Sequence, residues 1–451
     1  MTYLNNIKSK FLNYMGFFHS IKSLNLFNIG SLSFYIGLFL IPSAFSLSAI
    51  LLLISLLIGF RINKEGFFKD HLNIFLFLGF ILMLISSFYN SNLPLSIENS
   101  EISYIFYKNV SLFNWFPIIF GFHAFKPYLS SRSLRKKSQI CLLMGTFPVI
   151  CSVIGQAFFE LHGPMSTLGG LIVWYQRPID GITDVTGLFN NQNYLGSWLC
   201  IVWPFCLALF LTQEKSVIKR LLVFLFLISI AITIVLTASR AALLSLLLSI
   251  PILLGKRSIK FLNVAILTFG ITILFILFIL FPIFGESFQN QIINFIPEGL
   301  WTSYVPSTYI GNISRVEIWK NALDIISKNP IFGIGGGSFP NLLEVKTGFW
   351  RGHTHNLPLE LMVSYGIPAA IFILLPITKL IASSYKAVFV ANYLFFKENL
   401  FDRAWITSLI LLVLSHLVDI QYFDGRVSVS GWIILAGTSQ IINKPYLLKN
   451  K

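Results

Sequence analysis

Two apolar stretches, residues 26–60 and 221–255, are each too long for one membrane-crossing helix and too apolar to lie in water. A bilayer core about 30 Å thick takes roughly 20 apolar residues as a helix. Each stretch contains a break, around Pro42–Ser46 and at Ser239–Arg240, so each is expected to fold as a tight pair of short helices. Comparable windows recur along the 451 residues and give about twelve expected spans: 30–45, 46–60, 72–89, 104–125, 138–159, 192–212, 217–236, 239–255, 259–283, 356–381, 403–420 and 428–444. Only 11% of the residues are charged, against about 25% in soluble domains. The runs are continuous rather than alternating, which argues against a transmembrane β-barrel. The expected fold class is therefore an all-α polytopic membrane protein of about twelve transmembrane helices, with a large outer loop holding short helices.

The formal net charge of +15 would suit nucleic acid, but its distribution points elsewhere. With the N-terminus inside, most of the 33 Lys and Arg fall in inward-facing segments, among them 126–137, 215–220, 255–260 and the C-terminal tail. Most of the 18 acids fall outside. This is the positive-inside pattern, and merging either long run would break it. Both termini are expected in the cytoplasm, and the surplus charge faces anionic head groups. Membrane lipids are the implied partners and nucleic acid is not. Residues 1–28, with Lys8, Lys10 and Lys22 among Phe and Leu, read as an interfacial segment. Cys141, Cys151, Cys200 and Cys206 lie in apolar runs without a CxxC and read as small core residues.

Two outer loops are long, 160–191 and 284–355. In the second, SRVEIWKNALDIISKNP (314–330) predicts an amphipathic helix. Ser314 and Glu317 form a capping box, Ile318, Ala322, Ile325 and Ile326 make the apolar stripe, and Asn329–Pro330 ends it. IFGIGGGSFP follows as a tight Gly-rich turn. It lacks the Gly-Lys-Ser/Thr ending of a phosphate-binding P-loop.

An arginine inside an apolar run costs about 2.5–3.5 kcal/mol on insertion scales and calls for a role. Arg240 reads either as a snorkelling anchor or ion-pair member, or as a bidentate clamp for phosphate. Arg315, in the first turn of the loop helix, reads either as a surface charge or as part of an anion site at a helix N-terminus. Arg177 and Arg351 are further outer cations, read mainly as solvated loop charges. His353 and His355 flank Thr354 just before the apolar run 356–381. A catalytic metal site needs a third protein ligand. No nearby Cys or acidic cluster clearly supplies one, so no metal is expected. Acid–base work by His355, nearer the membrane, is the favoured reading. Glu360, about one turn into the helix, could orient or buffer it. His416 and Asp419, near the outer end of the span 403–420, read either as a structural pair or as functional groups.

Four pieces in order resemble the O-antigen ligase/O-antigen polymerase family of membrane glycosyltransferases. TGLFNNQNYLGSWLCIVWP (186–204) resembles its Gly-x-Phe…Asn-x-Asn entry to a span, which adds Asn191 and Asn193 as supporting residues. LTASRAALLSL (236–246) is similar to its Ser-Arg signature, and SRVEIWKNALDIISKNPIFGIGGGSF (314–339) to its Arg…Trp…Pro…Gly-x-Gly block. HTHNLPLELMVSYGIPA (353–369) resembles its His-Asn…Leu…Glu…Gly motif. Together they cover roughly residues 186–370. The resemblance implies a GT-C-like fold and a metal-independent, inverting transferase without a cofactor. The implied donor is a glycan on undecaprenyl pyrophosphate. The acceptor is a lipid A core or a glycan repeat, met at the periplasmic face of the inner membrane. By motif, the family's essential residues fall on Arg240, Arg315 and His355, with His353, Glu360, Asn191, Asn193, Arg177 and Asp419 as supporting candidates.

Three regions follow: N-terminal helices and the first outer loop (1–185), a ligase-like core with the loop 284–355 (186–381), and C-terminal helices (382–451). Other classes consistent with such a chain are a protein O-oligosaccharyltransferase and a secondary transporter, for example for inorganic carbon. A transporter would show repeat symmetry and midplane charges. Here no repeat is visible and the unusual charges lie at the outer face.

Overall fold

The computed structural model describes residues 25–63, 66–91, 111–212, 216–258, 313, 315–391 and 396–443. The described residues are mostly helical and include six helices long and apolar enough to cross a membrane. Both long apolar runs divide at their expected breaks. The first gives α1 (Asn25–Leu40) and α2 (Phe45–Ile62). After α3 (His71–Ser91), α4 (Phe116–Ala124) and α5 (Arg132–Phe159) comes a small antiparallel hairpin, β1 (Met165–Thr167) and β2 (Ile172–Trp174). Then follow α6 (Gln192–Thr212) and the second divided run, α7 (Val217–Leu236) and α8 (Arg240–Leu254). The expected span 259–283 and the loop segment to 312 lie outside the described residues, as does Ser314 of the proposed capping box.

The loop helix is present as α9 (Arg315–Lys328), with Ile318, Ala322 and Ile326 buried as its stripe requires. A short α10 (Phe339–Thr347) leads to α11 (Leu357–Tyr385), which runs on into a π-helical turn (Lys386–Ala391). The last two helices are α12 (Phe396–Ser415) and α13 (Gly425–Asn443). Neither is among the apolar spanning helices, and α12 is buried along nearly its whole length. A helix sheathed by other helices meets no lipid and need not be uniformly apolar.

Two expected boundaries move for one reason. Residues 132–137 were expected in a loop and instead form the first turns of α5. Likewise α12 starts at Phe396, ahead of the expected 403. Arg135 Nε and Nη2 donate to the two oxygens of Asp402 at 2.9 and 3.0 Å, and Arg132 Nη2 donates to Asn399 at 2.6 Å. Paired and hydrogen-bonded, these charges can lie inside helices that hydropathy alone would begin later.

α6 sits at the centre, packed against α5, α7, α8 and α12. Gly196 lets α8 approach closely, since a Cβ there would lie 2.8 Å from that of Ala242. α11 packs against α3, α9 and α13 and is broken at Gly366, whose φ is +88°. The Gly-rich turn after α9 fills the break. Ile334 N and Gly335 N donate to the carbonyls of Val363 and Ser364, each at 2.9 Å, and Ile367 N donates to Pro330 O at 2.8 Å. From α3, Ser86 Oγ donates to Phe332 O at 2.5 Å. The loop subdomain is thereby latched to the spanning helix it precedes.

Candidate active site

Residues 351–356 enter α11 through a turn tied to the end of α12. Asn356 caps α11 by accepting from Leu359 N at 3.0 Å. Its amide donates to Leu417 O at 2.8 Å, and Leu357 N donates to His416 O at 2.9 Å. The span expected over 403–420 ends early: α12 stops at Ser415 and leaves His416 and Asp419 in the turn facing this entry.

His355 takes a left-handed backbone, φ +54°, which costs a residue with a Cβ roughly 1–2 kcal/mol. Its neighbours hold it there. Thr354 N donates to Glu360 Oε2 at 2.9 Å, Thr354 O accepts from Trp319 Nε1 at 3.0 Å, and Thr354 Oγ1 donates to Asn356 O at 2.9 Å. His355 N donates to His353 Nδ1 at 3.2 Å. The result aims His355 Nδ1 at Asp419 Oδ1, 2.7 Å away. With that nitrogen donating to the carboxylate, Nε2 is left as the acceptor. The His355 side chain is 24% exposed and that of Asp419 10%.

Asp419 is fixed in turn. Its Oδ1 also accepts from Ile420 N at 2.9 Å, and its Oδ2 accepts from Asn193 Nδ2 at 3.1 Å. Asn193 stands at the start of α6, where Asn191 Oδ1 accepts from Asn193 N at 2.7 Å. A chain of polar contacts thus runs Asn191, Asn193, Asp419, His355. Burial pushes the Asp419 carboxyl up, but the hydrogen bond from His355 and the charges of His355, His353 and Arg315 outweigh it, holding Asp419 below its ordinary range. His353 is pushed down to about 4, first by burial and then by His355, with Asp419 opposing and Arg315 adding to the fall. It is neutral at ordinary pH and accepts from the backbone.

The ligand-capable atoms of His353, His355 and Asp419 lie within 4.8 Å of one another, a group that could hold a metal ion. The sequence reading found no third ligand beside the two histidines, and the fold supplies one from 64 residues away. Asp419 Oδ1 accepts two hydrogen bonds and His353 Nδ1 one, whereas Asp419 Oδ2 accepts one and keeps a second lone pair.

Arg315 and Arg240 each open a helix. Arg315 is the exposed first residue of α9, and its charge is felt at both His353 and Asp419. Trp319, one helical turn on, binds the Thr354 carbonyl. Arg240 opens α8 at the edge of α6, where Ser239 and Ala242 pack on Gly196, one turn from Asn193. Arg177 is exposed in the loop before α6 and outside the His355–Asp419 contacts. Its carbonyl accepts from Gln156 Nε2 at 2.7 Å, while Gln156 Oε1 accepts from Thr186 N and Gly187 N, each at 2.9 Å. That buried glutamine shapes the loop leading to Asn191. Glu360 does not contact His355 directly; it acts on Thr354. Trp319 and Thr354 carried no assigned role in the sequence, although the spacing of Trp319 from Arg315 puts both on one face of α9.

Residues 222–374 match the family model described as O-antigen ligase. This segment is similar to the O-antigen ligase family. It carries Arg240, Arg315, His353, His355 and Glu360. Asn193 and Asp419, which meet His355 from α6 and the α12–α13 turn, fall outside the matched segment. No curated protein matches the chain.

Proposed function

We propose that the chain is a membrane glycosyltransferase that moves a glycan from undecaprenyl pyrophosphate to an acceptor hydroxyl at the periplasmic face of the inner membrane. The observation that carries the reading is the 2.7 Å contact of His355 Nδ1 with Asp419 Oδ1, set beside Arg315 in an O-antigen ligase segment. Asp419 holds the imidazole with Nε2 unprotonated and directed to the acceptor. Nε2 removes the hydroxyl proton as the oxygen attacks the anomeric carbon from the face opposite the phosphate. The bond between that carbon and the phosphate oxygen breaks, and undecaprenyl pyrophosphate leaves with the electron pair. Anomeric configuration inverts. Arg240 and Arg315 bind the pyrophosphate and stabilise the charge developing on it. The donor already carries the driving force, so the step needs no metal and no nucleotide.

The acceptor is either a lipid A core, making the protein a ligase, or a second repeat unit, making it a polymerase. A gel of surface polysaccharide from a deletion strain separates them. Loss of all repeats from the lipid with polymer kept on the carrier identifies the ligase. Reduction to a single capped repeat identifies the polymerase. An unchanged ladder would overturn the reading.

A further inference from the structure

We propose that Trp319 and Glu360 are positioning residues: they clamp Thr354 from two sides, set the backbone of His355 and seat the Arg315-bearing helix against it. The inference rests on the reading of His355 given above. Each holds Thr354, which is completely buried, by a hydrogen bond.

The peptide unit joining Thr354 to His355 has two polar groups, and both are held. Its carbonyl accepts from Trp319 Nε1 at 3.0 Å, and its N–H donates to His353 Nδ1 at 3.2 Å. The preceding N–H, that of Thr354, donates to Glu360 Oε2 at 2.9 Å. Glu360 cannot swing away, because it is 6% exposed and its Oε1 accepts from Ser364 Oγ at 3.3 Å. Rotation of this peptide plane would move the imidazole off Asp419. A left-handed residue with a Cβ persists only where its surroundings over-determine it, and these bonds are those surroundings. Trp319 also sits one turn after Arg315, so one helix carries the cation and grips the histidine's peptide. Docking of α9 and aim of His355 are a single event.

The test uses the full chain, purified in detergent, with the lipid-linked glycan extracted from a deletion strain as donor. Trp319→Phe keeps the apolar ring and removes the donor. Glu360→Ala removes the acceptor, and Glu360→Gln retains an oxygen for Thr354 N. Trp319→Phe and Glu360→Ala should each lower kcat per folded molecule by about tenfold or more, as misplacement of a reacting group does, a loss larger than the accompanying rise in donor KM. Glu360→Gln should restore most of the rate. His355→Ala is the control for the underlying reading. If it is inactive while Trp319→Phe and Glu360→Ala match the parent, the clamp is wrong and the reading of His355 stands. If His355→Ala transfers glycan like the parent, the reading itself fails. Should Glu360→Ala not fold, Trp319→Phe decides alone. A rise in KM in place of the fall in kcat, or a fall that tracks lost folded protein, overturns the clamp.

Discussion

The helix α12 carries an acid at each end, and the two are used differently. Asp402, in its second turn, is completely buried. It accepts from Arg135 through both oxygens, while Arg135 Nη1 donates to Leu129 O at 3.0 Å. Donors and acceptors close on one another. Asp419, four residues past the other end, accepts from a half-buried imidazole whose second nitrogen is left as an acceptor, beside the exposed Arg315. The first cluster, in which Arg132 also reaches Asp402 at 3.4 Å, is buried around its carboxylate; the second sets an imidazole and the exposed Arg315 at an accessible edge. A buried closed ion pair fixes helix register. A half-satisfied histidine next to arginines is fitted to receive an anion and a hydroxyl.

The contrast breaks most sharply at His355. His355→Ala should cost about 10²–10⁴-fold in transfer, the usual range for a lost acid–base group, and leave the melting temperature of the purified protein unchanged. Asp402→Ala should do the reverse. It strands Arg135, and losing one partner of a buried pair costs about 3–5 kcal/mol. Thermal unfolding in detergent should show the loss, while transfer per folded molecule stays at the parent level. A catalytic defect in Asp402→Ala without destabilisation would erase the distinction between the two ends.

What the sequence made legible follows the same division. Hydropathy gave the two long runs because lipid-facing helices must be apolar, and their length, the residues at Pro42–Ser46 and Ser239–Arg240 and the charge pattern divided them. Hydropathy misplaced the starts of α5 and α12, where Arg132, Arg135 and Asp402 satisfy one another inside the bundle. Periodicity gave α9 and its buried stripe. Arg240 and His355 stood out because charge beside an apolar run needs a reason, and Arg315 because it opens a helix. The partnership of His355 with Asp419 was not legible, since 64 residues and a helix end separate them. Nor was the clamp, whose central bonds use the backbone of Thr354, and a backbone group has no signature in side-chain chemistry.

Asp419→Asn tests the open end more finely. An amide in place of the carboxylate keeps the size and can still accept from Ile420 N. It no longer holds His355 as a charged acceptor and can present an N–H to Nδ1, favouring the wrong tautomer. The same change beside a general-base histidine in a Ser-His-Asp triad costs about 10⁴-fold in kcat. Transfer kinetics should show this in kcat, with the melting temperature of Asp419→Asn staying close to that of the parent. A variant with parental kcat would reduce the 2.7 Å contact to packing.

The smallest effect concerns stability against pH and isolates His353. Its ring is held down to about 4, while an unfolded histidine titrates near 6.5. Between those values the unfolded chain binds a proton that the folded one refuses, so stability rises with pH across the window and is lost as pH falls through it. Asp419 is also lowered, and its contribution is lost only at more acid pH, below the ordinary carboxylate value of about 4. Between pH 7 and 5, then, His353 acts and Asp419 does not. His353→Gln keeps an acceptor for His355 N and does not titrate. Its melting temperature should fall less than the parent's on acidification over that interval, as followed by differential scanning fluorimetry. Parallel curves would mean that the His353 ring takes up its proton in the folded protein as readily as in the unfolded chain.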